Sequence, residues 1–420
     1  SYSYNLSEGA NNISITSRDA AGNESSALST TIVLDINTPE MPTLNAVVSP
    51  TNISPQILSG TKESNTSIWI NGVEVISVNS DTTWSYSYNL SEGANNISIT
   101  SHDAAGNESH AVTTTIEYDL DTYVDIGNTS GIENGTETHP FDSITEGIEA
   151  VTSGKSVIVA AGIYNEQLII NKGITLQGTS QENTLITGSS LTENLISLEA
   201  DNITISGFTI DGDDSTSVGI YFDNCSFINI NNNLIKNNED YGISYINSAP
   251  IIEDNTINDN SSCGIMIATN GAGIIRNNSI VSNLYGIRTY GDSCPEIRGN
   301  NISNNDTGIY CRESATPIIS YNNISNNSGY GILIDDALDN SVKPDIGGGD
   351  GQSDGQNKIV GNSSYGVNNK TDRNVMAKNN WWGDTHGPKY PADSSSSGDW
   401  AYWDRTGGDI IFTPHLTTEP

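Results

Sequence analysis

Between residues 202 and 334 one short pattern returns every 22 or 23 residues, and each copy carries asparagine at the same two places. With the copies aligned on Ile235, Ile257, Ile280, Ile302 and Ile324, the residue two before is Asn233, Asn255, Asn278, Asn300 and Asn322. Three residues after it stand Asn238, Asn260, Asn283, Asn305 and Asn327. A Gly-Ile pair recurs as well, at Gly219, Gly242, Gly264, Gly286, Gly308 and Gly331. Two fixed asparagines and a fixed Gly-Ile in successive copies mark a stacked repeat, whose units bury their apolar faces on one another.

Alternation after each Gly sets the direction of the side chains. Ile220 and Phe222, Ile243 and Tyr245, Ile265 and Ile267, Ile287 and Thr289, Ile309 and Cys311, and Ile332 and Ile334 follow a period of two, so one face of each strand is buried. The same reading places Tyr241, Cys263, Tyr285 and Tyr330, the residues before each Gly, on the inward side. Coils stacked about 4.8 Å apart align each set into a ladder. An amide both donates and accepts, so equivalent asparagines one coil apart can bond along the axis while satisfying backbone at a bend. Both asparagine columns are therefore expected to be structural.

Composition narrows the partners. The 420 residues exceed one ordinary core, which fits several domains or a solenoid. A net charge of -35, from 51 acidic and 16 basic residues, repels nucleic acid and anionic membranes and favours cations, calcium in particular. Cys225, Cys263, Cys294 and Cys311 are too few and too irregular for a disulfide scaffold or a zinc site. No apolar run reaches the roughly 18 residues that cross a membrane.

Residues 1–35 and 85–119 are near-copies, and residues 85–101 repeat residues 1–17 unchanged. The complete copy, residues 36–119, reads as short strands broken by turns, with an Asn71-Gly72 hairpin and with Trp69 and Trp84 as core aromatics. Such a pattern predicts an immunoglobulin-type β-sandwich. Asp103-Ala-Ala-Gly-Asn, repeated from Asp19, resembles the end of the bacterial Ig-like modules of cell-surface proteins, and that resemblance implies spacers or adhesive stalks. The first copy lacks the hairpin half, so residues 1–34 are expected either to continue a longer chain or to be completed by strands of another molecule.

From residue 120 to about 415 the reading is a solenoid. Phe141, Ile144, Ile148 and Val151 keep helical spacing behind a cap at Asp142 or Ser143, as a helix plugging the open end would. The strand-like runs beginning at Val157, Gln167 and Lys172 resemble the opening of right-handed parallel β-helix proteins of the pectate-lyase and pectin-esterase superfamily. Asn379-Asn-Trp-Trp-Gly, followed by Gly387-Pro, is similar to the closing string of many surface and periplasmic β-helix proteins, with Trp381 and Trp382 covering the last coil. The expected fold is all-β: Ig-like modules, then a right-handed parallel β-helix with a short N-terminal capping helix.

That resemblance implies lyases, esterases, hydrolases and epimerases among the relatives, so catalysis has to be weighed on the residues. The Asn-Thr-Asp and Gly-His-Gly strings of polygalacturonases are absent, as is the Tyr-Gly, Asp-Pro-His pattern of alginate epimerases. Asp211, Asp213 and Asp214 form the tight acidic cluster of the coils, without a partner cluster in adjacent copies. Arg276, Arg288, Arg298 and Arg312, with Glu253, Asp292, Glu296 and Glu313 nearby, keep a calcium-assisted lyase open, and a solvated charged edge would look the same. His386 beside Asp384 falls in the closing turn and lacks a second histidine nearby in the sequence. No catalytic residue is assigned.

Asp345, Asp350 and Asp354, in a Gly-rich insertion, are the candidate calcium ligands. Asn-x-Ser/Thr sequons recur, with Asn202, Asn301 and Asn369 as glycosylation candidates. Taken together the sequence predicts a structural or adhesive extracellular surface protein, self-associating in a layer or filament. The alternative is a protein that binds or cleaves an extracellular polysaccharide in the groove of the coils.

Overall fold

The computed structural model describes residues 2–188, 193–335, 342–349, 353–390, 396–403 and 408–420. The chain forms two compact units, residues 1–119 and 120–420.

In the first unit, Thr66–Ile70 and Val73–Asn79 form the hairpin, with Asn71 and Gly72 both at positive φ, as a two-residue turn matched to strand twist requires. These two strands join Gly93–His102 and Val112–Tyr118 in one antiparallel sheet, while Gln56–Thr61 pairs with Thr83–Tyr88. Leu58, Ile68, Trp84, Ile97, Ile99 and Ile116 close the core between them. Trp69 does not share that core: it is half-buried and stacks on His102 at 4.5 Å, because its strand position points away from Ile68 and Ile70. The hairpin Gly9–Ile15 with Leu28–Leu34 repeats the sequence of the later pair, yet Ile15 is 59% and Ile32 43% exposed where Ile99 and Ile116 are at 0%.

The second unit is a parallel solenoid of three sheets. Sheet I runs from Thr122–Val124 to Ile410–Ile411, sheet II from Gly162–Asn165 to Lys358–Val360, and sheet III from Leu168–Ile170 to Ala401–Trp403. The chain visits I, II and III in turn, and each strand pairs with its equivalent one coil on. Hence like residues stack: Ile257, Ile280, Ile302 and Ile324 in sheet II, and Ile243, Ile265, Ile287, Ile309 and Ile332 in sheet III, all fully buried. Helix α1, Ile144–Ala150, packs on the first coil through Ile144 and Ile148. Ser143 caps it, accepting from the Glu146 N–H, and the Glu166 carboxylate accepts from the N–H groups of Ile144 and Thr145 at 2.9 Å each. Phe141 lies outside the helix, in a bridge with Val124, so only part of the helical spacing is helix.

Two asparagine columns run through the corners between sheets. At the I–II corner Asn255 donates from Nδ2 to Ile230 O, Glu253 O and Asn278 Oδ1, and its backbone N–H reaches the same Oδ1 at 3.0 Å. The arrangement repeats from Asn233 through Asn278, Asn300 and Asn322, then continues across the insertion to Asn357 and Asn380. At the II–III corner Asn238, Asn260, Asn283, Asn305 and Asn327 form a second ladder, which goes on to Asn362 and ends on the Asp399 carboxylate. Burial holds the Asp399 carboxyl above its usual range, against the lowering effect of the Asn362 and Gly361 donors. The residue before each rung of the first ladder is left-handed, at Asn232, Asp254, Asn277, Tyr321, Gln356 and Asn379, with Gly299 in the same place.

The tyrosines preceding each Gly point outward. A Cβ on Gly286 would lie 2.6 Å from Gly308 O and 2.8 Å from Ile302 Cγ2, so this corner admits only Gly and turns it inward. Gly286 and Ile287 both face the core, alternation breaks between them, and Tyr285 falls on the outer face, where its ring meets Tyr310. Tyr241 and Tyr330 take equivalent places, and Cys263, fully buried, occupies the same column.

Removing one rung strands the donors and acceptors of its neighbours. Asn278→Ala leaves the Asn255 N–H without its partner and takes one donor each from the Ile252 and Arg276 carbonyls, and is expected to lower stability by about 2 kcal/mol or more. The exposed Asn301→Ala should change it by no more than about 0.5 kcal/mol. Denaturant unfolding of the two variants measures the contrast, and equal midpoints would rule out the ladder as a stabilising element.

Candidate functional site

Outward positions of sheet III carry a strip of tyrosine and cations. Ser244, Met266, Arg288, Tyr310 and Leu333 lie in register on successive strands, between pairs of inward residues. The Arg288 guanidinium lies 5.9 Å from the Tyr285 ring, 5.9 Å from Tyr290 and 5.7 Å from Tyr310. Arg312 covers Tyr310 at 5.7 Å and Lys370 covers Tyr330 at 5.8 Å. Farther along, Tyr365 stacks on Tyr330 at 6.0 Å and on Tyr402 at 4.4 Å. Arg288 makes no ion pair among the described residues, and its Nε is buried without a partner. Burial pushes the Tyr310 phenol up, against Arg312, so the ring stays neutral and presents its π face to the cations.

The other candidate residues are dispersed. Arg276 and Arg298 stack in register on sheet I and are paired, Arg276 with Glu253 at 2.5 Å and Arg298 with Glu296 at 2.7 Å. Arg288 and Arg312 belong to sheet III, so the four arginines do not share one groove. Asp211 pairs with Lys236 at 3.0 Å and accepts from Asn237, while Asp213 and Asp214 form a left-handed exposed turn. His386 is 79% exposed, and its Nδ1 is 2.8 Å from Asp384 Oδ1. Donors from Ser397 and His386 hold the Asp384 carboxyl far below the usual range. Trp382 is fully buried in the core, whereas Trp381 is half-buried.

For the calcium candidates, Asp345 is buried and its two oxygens accept three backbone N–H groups, from Gly347, Gly349 and Ser353 at 3.0–3.1 Å. Asp354 accepts from the Tyr321 hydroxyl at 3.0 Å, and Asp350 lies outside the described residues. Carboxylates able to hold a metal ion come together instead at Glu133, Asp142 and Glu146, with oxygens within 4.8 Å of one another. Burial and the two neighbouring carboxylates raise the Glu133 pKa. No contiguous signal marks this cluster in the sequence; the fold before α1 makes it.

Among the glycosylation candidates, Asn202 and Asn301 are exposed. Asn369 is not available: it is fully buried, and its Nδ2 donates to Arg373 O and Gly408 O at 2.8 and 2.9 Å. Sequon spacing alone carries no burial information, so the pattern groups Asn369 with the other two.

Residues 126–272 and 247–382 match the family described as right handed beta helix region, together more than half of the chain. The chain belongs to the right-handed β-helix family. Residues 47–120 match glucodextranase domain B, in keeping with the Ig-like sandwich. A cell surface glycoprotein of Methanothermus fervidus is 32% identical over 114 residues, which span 27% of this β-helix protein and 18% of that one. Among solved structures, the Azotobacter vinelandii mannuronan C-5 epimerase AlgE4 A-module is 16% identical, with TM-score 0.40, over 71% of this chain and 98% of its own. The Yersinia enterocolitica family 28 exopolygalacturonase is 11% identical, with TM-score 0.36, over 91% and 97%. Likeness this distant carries nothing about activity.

The β-helix also sorts its cysteines. Burial pushes the Cys263 thiol up to about 11 and Cys311 to about 12, while Cys294 is exposed. At pH 8 roughly 0.1% or less of either buried thiol is thiolate, and only thiolate reacts. Cys225 is buried as well, so a disulfide-exchange reagent should titrate Cys294 alone in the folded protein and all four thiols in denaturant. Rapid labelling of Cys263 before unfolding would contradict the burial.

Proposed function

We propose that this protein is an adhesive and structural component of an extracellular surface, and that the outer strip of sheet III grips a polysaccharide there. The observation that carries the reading is Arg288, unpaired and ringed by Tyr285, Tyr290 and Tyr310 on an otherwise acidic protein. Tyrosine faces suit the apolar faces of sugar rings, and a guanidinium without an ion-pair partner suits ring hydroxyls. The net charge of -35 repels a polyanion at long range, so a neutral or sparsely charged sugar chain fits best. The surface location is supported by the partial likeness to a protein named cell surface glycoprotein and by the abundance of sequons. Self-association into a layer is the structural side of the proposal, in which the ladders would supply a stiff rod.

Two measurements test it. An antibody to the β-helix should label the envelope of intact cells, and exclusively cytoplasmic label would refute the location. Binding of a neutral envelope polysaccharide, followed calorimetrically, should weaken about tenfold or more in Arg288→Ala and in Tyr290→Ala, both half-buried, with the unfolding midpoint little changed. Unchanged affinity in both variants would remove the strip from the account.

A further inference from the structure

The ladder at the II–III corner does more than hold the coils together, because three of its rungs are themselves glycosylation sequons. Asn260-Ser-Ser, Asn305-Asp-Thr and Asn362-Ser-Ser carry the acceptor pattern. So does Asn369-Lys-Thr, a fourth buried site, outside the ladders. In each the Nδ2 atom, which a glycan would occupy, is buried and already committed. Asn305 Nδ2 donates to Ile280 O at 3.0 Å, and to Ser303 O and Asn327 Oδ1 at 3.2 Å. Asn260 Nδ2 donates to Asn283 Oδ1 at 3.0 Å, and Asn362 Nδ2 to Ile324 O and Asp399 Oδ2 at 3.1 and 2.9 Å. A sugar on any of these amides replaces one of its hydrogens, breaks at least one of these buried bonds and wedges the packed segments apart.

A second set of sequons has the opposite geometry. Asn202, Asn277 and Asn326 sit in exposed left-handed turns, with φ of 61°, 57° and 57°, and none engages its Nδ2 with the described residues. Asn301 is exposed too, at the start of a sheet II strand. There the stacked neighbour Asn323, also a sequon, donates its own Nδ2 to Asn301 Oδ1 at 3.0 Å. Attachment at Asn301 Nδ2 keeps that carbonyl oxygen, so the bond survives, whereas attachment at Asn323 replaces one of the amide hydrogens beside the stacked strand.

We infer that the β-helix selects its own modification sites: N-linked oligosaccharides are carried at Asn202, Asn277, Asn301 and Asn326 and excluded from Asn260, Asn305, Asn362 and Asn369. The inference rests on the extracellular reading given above. It differs from a count of sequons, since Asn304-Asn305 and Asn326-Asn327 lie in equivalent turns, yet the sequon falls on the buried rung in one and on the exposed residue in the other. Chains modified at a rung would fail to stack their coils and would be lost from the folded pool.

Glycopeptide mass spectrometry of the protein recovered from intact cells tests this, alongside surface labelling of the same cells. The expected result is oligosaccharide on the four exposed asparagines, unmodified Asn at the four buried ones, and loss of one glycan mass in Asn301→Gln. A glycan on Asn260, Asn305, Asn362 or Asn369 of the folded protein overturns the selection. A protein labelled at the surface but bare at all four exposed positions overturns the inference and leaves the surface reading standing. A protein confined to the cytoplasm and bare throughout overturns both.

Discussion

The amide-to-amide hydrogen bond along the solenoid axis is the interaction on which the rest of the second unit depends. Each rung satisfies the carbonyls of its own corner and of the coil before, and accepts two donors from its neighbour, as Asn278 does from Asn255. A single such bond contributes about 1 kcal/mol net, but a missing one leaves buried groups unpaired on both sides. The repeat therefore tolerates almost no change at the corners. An Ile column without the ladders would still bury apolar area, but it would not fix where each coil turns.

Fixing the corners frees the outside. Because Gly at the II–III corner must turn inward against the next coil's carbonyl, the residue before it is thrown onto the solvent face of sheet III. The same crowding that excludes a Cβ thus builds the column of Tyr241, Tyr285 and Tyr330 beside Arg288 and Tyr310. The outward column of sheet III is a consequence of the II–III corner.

Most of the fold was legible in the sequence, since a two-residue period and a 22- to 23-residue repeat both survive in the letters. The first rungs were read from spacing, but Asn357, Asn362 and Asn380 were not, because the insertion after residue 335 shifts the period although the bonds continue across it. The direction of the pre-Gly tyrosines was misread by extending strict alternation through a corner. Trp69 and Phe141 were misplaced for a similar reason: apolar character says that a side chain seeks cover, not which neighbour provides it. The separation of Arg276 and Arg298 from Arg288 and Arg312, and the gathering of Glu133, Asp142 and Glu146, depend on sheet assignment and loop path, which residue spacing alone does not encode.

Native-state hydrogen exchange tests the central claim most directly. If the ladders hold the coils as one unit, the backbone N–H groups of Asn255, Asn278, Asn300 and Asn322, each bonded to the next rung at 3.0 Å, should exchange only through global unfolding, with one shared free energy. Exchange of those four at separate rates, as fast as the exposed turns, would show that the coils open one by one and that the ladders do not govern the fold.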